Sequence, residues 1–247
     1  AEIRGRFAKH PRPSPLMHLD GGSLAKYAEL VEAMDEGIGQ VLAALENAGR
    51  ATNTIVVFTS DNGGERWSKN WPFVGEKGDL TEGGIRVPLI LRWPAAVAGG
   101  QVSDEPVSTL DWTATLIDAA GTEPAADYPL DGVSLLPWLV DGAGFPEHDL
   151  FWRTSNQGAV RRGRFKYLRD RRDRAVLGNW PRRFGDYHLL YDVAGDGRER
   201  ADVADRYPDV LAELRAAWEQ HNRELLPYPP DTPGLPRPPG TVVSEAD

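Results

Sequence analysis

The spacing of apolar residues predicts one long amphipathic helix early in the chain. Between Ser23 and Ala48 the apolar side chains recur every three or four positions, which is typical of a helix that buries one face. Serine is a frequent N-terminal cap and glycine a frequent helix terminator, so Ser23 and Gly49 mark the two ends. We therefore expect a helix over residues 23–48 with a buried apolar face.

Two short apolar runs follow and predict strands. The continuous, β-branched run Thr54–Ser60 is typical of a strand buried within a parallel sheet. Ile85–Trp93 predicts a second strand, in which Pro88 favours an edge or a bulge because proline cannot donate a ladder hydrogen bond. The polar loop that joins the two runs is long, and such loops within compact domains are usually functional.

The second half of the chain has a different pattern. A helix is predicted over Leu110–Ala120, where the apolar period again fits a helix. Beyond it, residues 159–169 and 188–193 alternate in the manner of short antiparallel strands. Tyr207–Leu226 predicts a final amphipathic helix, with Val210, Leu211, Leu214 and Trp218 on its inner face.

This order of elements predicts an α/β fold in three parts. We expect a mostly parallel sheet with flanking helices over residues 1–145. A small antiparallel sheet with a packed helix is expected over residues 146–228. Residues 229–247 form a proline-rich tail, for which an extended conformation is expected.

Composition narrows the class of protein. Hydrophobic residues make up 40% of the 247 residues and charged residues 26%, which is typical of a globular domain. The net charge of −9 argues against non-specific binding to nucleic acid, which requires a basic surface. The chain has no cysteine, and this excludes disulfides, thiolate metal ligands and a cysteine nucleophile within it.

No segment indicates a membrane or an export signal. No apolar run reaches the roughly 20 residues of a membrane span, and residues 1–9 lack the apolar centre of a signal peptide. The chain starts with Ala1 and enters a Pro-rich stretch abruptly, so we expect its start to be a truncation. A soluble protein is expected, whereas the sequence does not indicate its compartment or oligomeric state.

The first candidate for chemistry is the pair Asp61 and Asn62, which directly follows the first predicted strand. Ligands in open α/β sheets bind beyond the carboxyl ends of strands. A carboxylate and a carboxamide offer the hard oxygen donors that suit Ca²⁺ or Mg²⁺. The same residues are equally typical of a simple turn before Gly63.

The second candidate is Lys77, which lies in a glycine-rich stretch between Gly75 and Gly78. A lysine in such a loop can direct its ammonium into a pocket as a compact charge for an oxyanion. Most loop lysines, however, are simply solvated. Gly83 and Gly84 permit a close backbone approach before the second strand.

These segments together resemble a known family. Residues 54–62 (TIVVFTSDN) and 77–88 (KGDLTEGGIRVP), in this order and spacing, resemble the second half of a sulfatase catalytic domain, in the alkaline phosphatase superfamily. Further segments at 111–116, 160–167 and 190–193 also fit, so the resemblance covers about residues 23–226.

The resemblance implies an alkaline-phosphatase-like fold and the hydrolysis of a sulfuric ester to alcohol and sulfate. It implies that Asp61 and Asn62 are the second pair of ligands of a Ca²⁺ or Mg²⁺ ion. Lys77 resembles the family's catalytic lysine, which contacts the sulfate and the nucleophile. Glu82 and Arg86 resemble residues that shape this loop, and we expect Arg86 to pair with a carboxylate.

Several parts of the family pattern are absent. The family's nucleophile is a formylglycine made within a C/S-x-P-x-R motif, which this sequence lacks, as it lacks the first acidic pair of metal ligands. We expect both in a missing N-terminal part, so that this chain is a fragment that is inactive alone and whose partner is a small sulfated substrate. His10 and His18 do not fit the family's histidine segment and are expected to be ordinary loop residues.

Two alternative functions stay open. After the sulfuric ester hydrolase, the second enzyme interpretation is a phosphodiesterase or phosphonate monoester hydrolase of the same superfamily, and the nucleophile motif that separates them lies outside this chain. The chain also fits a remnant that binds metal or anions without turnover.

Two surface features also have two interpretations each. Residues 161–174 are dense in Arg and Lys, which fits either an anion-binding patch or, as we favour, a charged hairpin that guards a sheet edge. Trp67, Trp71 and Phe73 fit either a pocket wall or core packing.

Overall fold

The computed structural model describes residues 23–65, 67–170 and 187–228. These residues form two compact units. The first holds the described parts of 1–59, 64–69 and 89–99, and the second holds the described parts of 60–63, 70–88 and 100–247.

A long helix, α1 (Leu24–Asn47), opens the first unit and confirms the predicted helix. Ser23 caps it, because its side-chain oxygen accepts a hydrogen bond of 3.1 Å from the Lys26 amide. Gly49 follows with a φ of 65°, a conformation that favours glycine. The predicted buried face is wrong: α1 contains no buried residue. Helical periodicity therefore located the apolar stripe but not a surface that covers it.

The first unit also contains a two-stranded sheet. Strand β1 (Val56–Thr59) pairs with β2 (Leu89–Arg92), and the pairing is antiparallel, with Val56 opposite Arg92 and Thr59 opposite Leu89. The predicted, mostly parallel sheet is not confirmed, because both sheets of the described residues are antiparallel. An uninterrupted apolar run indicates burial of a strand, but it carries no information about the direction of its neighbour.

The start of the second predicted strand is also different. Glu82–Ile85 forms a short helix, α2, in the second unit, and β2 begins only at Leu89. Gly83 and Gly84, which are poor strand residues, lie inside α2.

Two further helices in the second unit, α3 (Thr109–Ala119) and α4 (Leu136–Asp141), are joined by a buried aspartate. Asp111 completes a capping box with Ser108 at the start of α3. Its carboxylate also accepts a hydrogen bond of 3.1 Å from the Val133 amide and lies 3.0 Å from the His148 imidazole. Asp111 therefore ties the segment before α4 to α3 and has a structural role.

A four-stranded antiparallel sheet forms the centre of the second unit and confirms the predicted small sheet. Its strands lie in the order β3, β4, β5, β6. They span Leu150–Arg153, Gln157–Arg162, Phe165–Asp170 and Tyr187–Asp192.

One face of this sheet packs against the last helix, α5 (Pro208–Glu224). Leu214 and Trp218 of α5 are buried against Val160 and Tyr167 of the sheet, together with Leu190. This confirms the inner face predicted for the helix. At Gly158 a Cβ atom would lie 2.3 Å from the Trp218 ring, so only glycine permits this approach.

The opposite face of the sheet packs against the loop that precedes β2. Ala159, Leu168 and Tyr191 form one buried cluster with Leu80, and Ile85 packs against this cluster. Because strand side chains alternate between the two faces, the same strands hold α5 on one side and the loop on the other.

The prediction that the Arg-rich hairpin guards a sheet edge is wrong for its described part. Strands β4 and β5 are the two central strands, and Lys166 within them is fully buried. A charged side chain in the middle of a sheet has to find partners, so this hairpin is a structural element with its own polar network.

Some predictions fall outside the described residues. These are His10, His18, the end of the Arg-rich run at 171–174 and the Pro-rich tail 229–247. Among the described helices, none combines the length and apolar character that a membrane span requires.

The packing of α5 leads to a prediction for stability. Leu214→Ala should lower the free energy of unfolding by about 2–5 kcal/mol, because it removes buried methyl groups and leaves a cavity beside Trp218. Urea denaturation followed by tryptophan fluorescence measures the change. Leu226→Ala is the matched control, since Leu226 is 85% exposed and should change stability little. Equal losses for the two variants would contradict this packing.

Candidate functional site

The candidate metal ligands lie on a tight turn that opens the second unit. Asp61 is exposed and Asn62 is half-buried. The Ser60 hydroxyl donates a hydrogen bond of 2.8 Å to the Asn62 carbonyl. The Gly63 amide donates a bond of 2.8 Å to the Gly84 carbonyl, which attaches the turn to α2. This backbone bond fixes the position of the turn and leaves the Asp61 side chain open to solvent.

Lys77 lies on a second turn, which is formed by Glu76–Asp79. The Asp79 amide donates a hydrogen bond of 2.9 Å to the Glu76 carbonyl, and Gly78 has a φ of 92°, as the third position of a type II turn requires. The Asp79 carboxylate closes the turn further by accepting from the Glu76 amide at 3.1 Å. Lys77 itself is exposed and has no hydrogen bond or ion pair with another described residue.

Both turns pack against Gly83 and Gly84. A Cβ atom on Gly63 would lie 1.8 Å from the Gly83 carbonyl oxygen, and one on Gly84 would lie 2.2 Å from the Asp79 carbonyl oxygen. The Gly83 amide also donates a hydrogen bond of 2.7 Å to Val74. These distances are possible only because no side chain intervenes. The structure thus brings the two turns together through their backbones, and no contact joins the side chain of Lys77 to that of Asp61 or Asn62.

A buried polar cluster lies beneath the loop. Glu82 is 1% exposed and its Oε1 accepts a hydrogen bond of 2.7 Å from the Lys166 ammonium. Glu199 Oε1 lies 2.7 Å from the same nitrogen. Arg86 and Arg161 are more distant, 3.8 Å and 3.9 Å from Glu82 Oε2. The first of these contacts agrees with the expected pairing of Arg86 with a carboxylate.

Burial shifts the pKa of two members of this cluster, Glu199 and Arg161. The pKa of Glu199 is raised because burial disfavours its charged form, although Lys166 opposes the shift. Burial likewise lowers the pKa of Arg161, and the neighbouring Glu82 partly opposes this. Both shifts follow from the burial of these side chains beneath the loop.

Sequence reasoning missed Lys166 and Glu199. The prediction for the Arg-rich run does not separate Lys166 from the arginines around it, and Glu199 lies in an unremarkable polar stretch after β6. The available signal for Lys166 was its position two residues before Leu168, on the same face of a strand that alternates between buried sets. No comparable pattern indicated Glu199.

The aromatic residues of the loop do not share one role. Trp71 is 78% exposed, which excludes core packing for it, and the Arg198 guanidinium lies 3.7 Å from the centre of its ring. Phe73 contacts the Arg86 guanidinium at 4.7 Å in the same way. These cation–π pairs hold the outer part of the loop.

The donor chemistry of the first turn fits part of a metal site. The Asp61 carboxylate and the Asn62 carboxamide are oxygen donors of the kind that Ca²⁺ and Mg²⁺ prefer. Six to eight such donors surround Ca²⁺ in proteins. Across residues 23–65, 67–170 and 187–228, no three His, Asp or Glu side chains form a group that could hold a metal. Further donors are therefore needed besides these two residues.

Two family models match the chain. One, described as Sulfatase, matches residues 6–122. The other, described as N-sulphoglucosamine sulphohydrolase, C-terminal, matches residues 76–223. Together they include both turns of the candidate site and all four strands of the larger sheet.

Similar proteins from mammals are themselves sulfatases. N-acetylgalactosamine-6-sulfatase of Mus musculus is 28% identical over 232 residues, which are 83% of this chain and 45% of that protein. Steryl-sulfatase of Mus musculus is 34% identical over 238 residues, which are 82% of this chain and 38% of that protein. The chain therefore spans less than half the length of these relatives.

Solved structures share the fold. Ps i-CgsB matches 89% of this chain and 46% of its own, with a TM-score of 0.69 and 25% identity. BT4656, solved with its substrate D-glucosamine-2-N,6-O-disulfate, matches 90% of this chain and 45% of its own, with a TM-score of 0.62 and 25% identity. A phosphonate monoester hydrolase of Agrobacterium radiobacter matches 81% of this chain and 41% of its own, with a TM-score of 0.58 and 27% identity.

The packing of the two turns leads to a prediction. Gly63→Ala should lower the free energy of unfolding by about 1–3 kcal/mol, because its Cβ would overlap the Gly83 carbonyl and force the turns apart. Thermal unfolding measures the loss of stability. The rate of tryptic cleavage after Lys77 should rise, and it measures the separation of the turns. In the control variant Gly99→Ala the new Cβ meets nothing within 4 Å, so both readouts should match those of the unsubstituted chain. Indistinguishable behaviour of the two variants would argue against this contact.

Proposed function

This chain belongs to the sulfatase family. We propose that it forms the part of a sulfuric ester hydrolase that binds the sulfate group and contributes half of the ligands of a divalent metal ion. The observation that carries the proposal is the shared packing of two turns on Gly83 and Gly84. One turn presents oxygen donors, and the other presents an ammonium that pairs with none of the described residues. The function of the whole protein is proposed on the same basis.

Lys77 has the properties of a sulfate-binding catalytic residue. Its ammonium makes no ion pair with the described residues, so it is available to an external anion. Its turn is fixed by hydrogen bonds and by Gly78, which limits the reorganisation needed when charge shifts on the sulfate oxygens. Since the chain has a net charge of −9, such a positive group has to act locally.

Asp61 and Asn62 would hold the metal from the adjacent turn. A Ca²⁺ or Mg²⁺ ion bound there would supply Lewis-acid stabilisation of negative charge on the substrate. Asn62 is half-buried and its turn is attached to α2, whereas Asp61 is open to solvent. The pair therefore combines a fixed position with access for an ion and a substrate.

We propose no residue of this chain as the nucleophile that attacks the ester. The sequence contains no cysteine and no C/S-x-P-x-R motif in which a formylglycine would form. We therefore expect the 247-residue chain alone to bind ligands without turnover. The substrate class we propose is a small sulfated molecule, in keeping with the substrate bound to BT4656 and the names of the mammalian relatives.

A phosphonate monoester hydrolase is the second candidate function. A hydrolase of that type has the same fold and 27% identity to this chain. An oxygen-liganded metal beside an ammonium suits a phosphonate monoester as well as a sulfate ester, because both present anionic oxygens around a tetrahedral centre. Substrate preference separates the two, so both ester types belong in the assay.

A substitution at Lys77 tests the proposed role. In the protein produced from its native gene, Lys77→Ala should lower kcat/KM for 4-nitrophenyl sulfate about 100- to 1,000-fold, because a preorganised charge at the sulfate is lost. Spectrophotometric release of 4-nitrophenol measures the rate. Lys69→Ala is the matched control, since Lys69 is another exposed lysine of the same stretch and should keep full activity.

Three results would contradict the primary proposal. A preference for a 4-nitrophenyl phosphonate over the sulfate would favour the second candidate. Binding of sulfate and Ca²⁺ without hydrolysis of either ester would identify a non-catalytic binding protein. Rapid hydrolysis by the 247-residue chain alone would mean that a residue within it replaces the formylglycine.

Metal removal gives a separate prediction. Chelation by EDTA should abolish hydrolysis, and added Ca²⁺ or Mg²⁺ should restore it. Asp61→Ala should raise the metal concentration needed for half-maximal restoration, because one anionic ligand is lost. Asp79→Ala is unsuitable as the control because it opens the Lys77 turn, so Asp104→Ala, at an exposed aspartate, is used instead. Full activity of the Asp61 variant in EDTA would exclude a metal at this turn.

A further inference from the structure

The Lys166 ammonium of the second unit is fully buried: the residue has no exposed surface. It donates hydrogen bonds to the Leu80 carbonyl at 3.1 Å and to Glu82 Oε1 at 2.7 Å, and it forms an ion pair with Glu199 at 2.7 Å. Three oxygen atoms thus surround the three N–H groups of the ammonium. Two of these oxygens belong to the loop before β2 and not to the sheet that carries Lys166.

The loop is held from the same face of the sheet by a second side chain. Gln157 is buried, and its Oε1 accepts a hydrogen bond of 3.1 Å from the Leu80 amide. Its Nε2 donates a bond of 3.0 Å to Asp170 on the neighbouring strand, which fixes the orientation of the amide. Both backbone groups of Leu80 are therefore bound by side chains of β4 and β5.

Glu199 completes the attachment from beyond β6. Its Oε2 accepts a hydrogen bond of 2.7 Å from the Glu82 amide, while its other oxygen faces Lys166. Glu199 adopts a φ of 52°, in the left-handed region that a residue with a side chain rarely occupies. Such strain persists only where the surroundings fix the residue, and here the buried carboxylate does so.

The attached segment begins at Leu80, three residues after Lys77, and ends at Glu82, one residue before Gly83. Leu80 and Glu82 are thereby fixed on both sides of Thr81, and the turn of Glu76–Asp79 packs directly on Gly84. The apolar packing of Leu80 is not directional, whereas its hydrogen bonds are, so the polar partners define the register of this segment. Loss of the polar partners would leave buried charges unpaired, which strongly favours one arrangement.

We infer that Lys166 and Gln157 are positioning residues, which hold the Leu80–Glu82 segment on the four-stranded sheet and so set the position of the Lys77 turn. Both side chains are buried beneath the loop, so their proposed role is indirect. The consequence for catalysis rests on the function proposed above for Lys77, whereas the positioning itself does not. The C-terminal sheet is accordingly a direct support of the anion site.

Limited trypsin digestion of the 247-residue chain tests the positioning. In Lys166→Met, cleavage after Lys77 should accelerate about tenfold or more relative to cleavage after Arg215, because the loop opens locally while α5 stays folded. Gln157→Met should act in the same direction with a smaller effect, since it removes one neutral anchor of the loop and leaves the ion pairs of Lys166 in place. If Lys166→Met does not fold, the Gln157 variant decides the question alone.

Val160→Ala is the matched control. Val160 is as buried as Lys166 and lies on the adjacent strand, but its side chain packs against α5 on the other face. This variant should lower the melting temperature without raising the ratio of Lys77 to Arg215 cleavage. An unchanged ratio in the Lys166 and Gln157 variants, or the same rise in Val160→Ala, would overturn the inference.

A double-mutant cycle in the protein from its native gene tests the consequence for activity. Gln157→Met should lower kcat/KM when Lys77 is present and have no further effect in a Lys77→Ala background, because it acts through Lys77. Equal losses in both backgrounds would overturn this route. If Lys77→Ala alone has no effect on activity, the proposed function fails, and the digestion result still decides whether the sheet positions the loop.

Discussion

The second unit of this protein is organised around an ammonium group that has no access to water. Lys166 lies on a central strand, and burial of its charge is tolerated only because Glu82, Glu199 and the Leu80 carbonyl surround it. Two of these partners come from the loop before β2. The sheet and the loop are therefore coupled, since the sheet supplies the ammonium and the loop supplies one of its counter-charges.

The glycines of the loop depend on this attachment. Once Glu82 is fixed, Gly83 and Gly84 present bare backbone on which two turns pack at distances that exclude any side chain. Asp61 and Asn62 lie on one turn and Lys77 on the other. The candidate site thus consists of exposed or half-buried side chains on two turns that pack on buried glycines, an arrangement that keeps the side chains accessible while limiting the motion of their main chain.

How far the sequence alone was informative differs between the elements. Helix α1 and its cap at Ser23 followed from periodicity and residue type, as did the inner face of α5 around Leu214 and Trp218, because these signals are local. The direction of β2, the short helix at Glu82–Ile85 and the exposure of α1 did not follow, because each depends on what packs nearby. For the site, Asp61, Asn62 and Lys77 were recognised through resemblance of their segments to a family.

By itself, the sequence determined the positions of the main helices, the small antiparallel sheet, the family and the residues with candidate chemistry. This was possible because the spacing of apolar residues, the helix caps and the short motifs each depend on residues that are close together in the sequence. Only the tertiary structure decided that Lys166 is buried, that Glu199 faces it and that Gln157 binds Leu80. These partners are separated by long stretches of chain. A charged side chain can be buried only where the fold brings its counter-charge into contact with it, which the local sequence does not indicate.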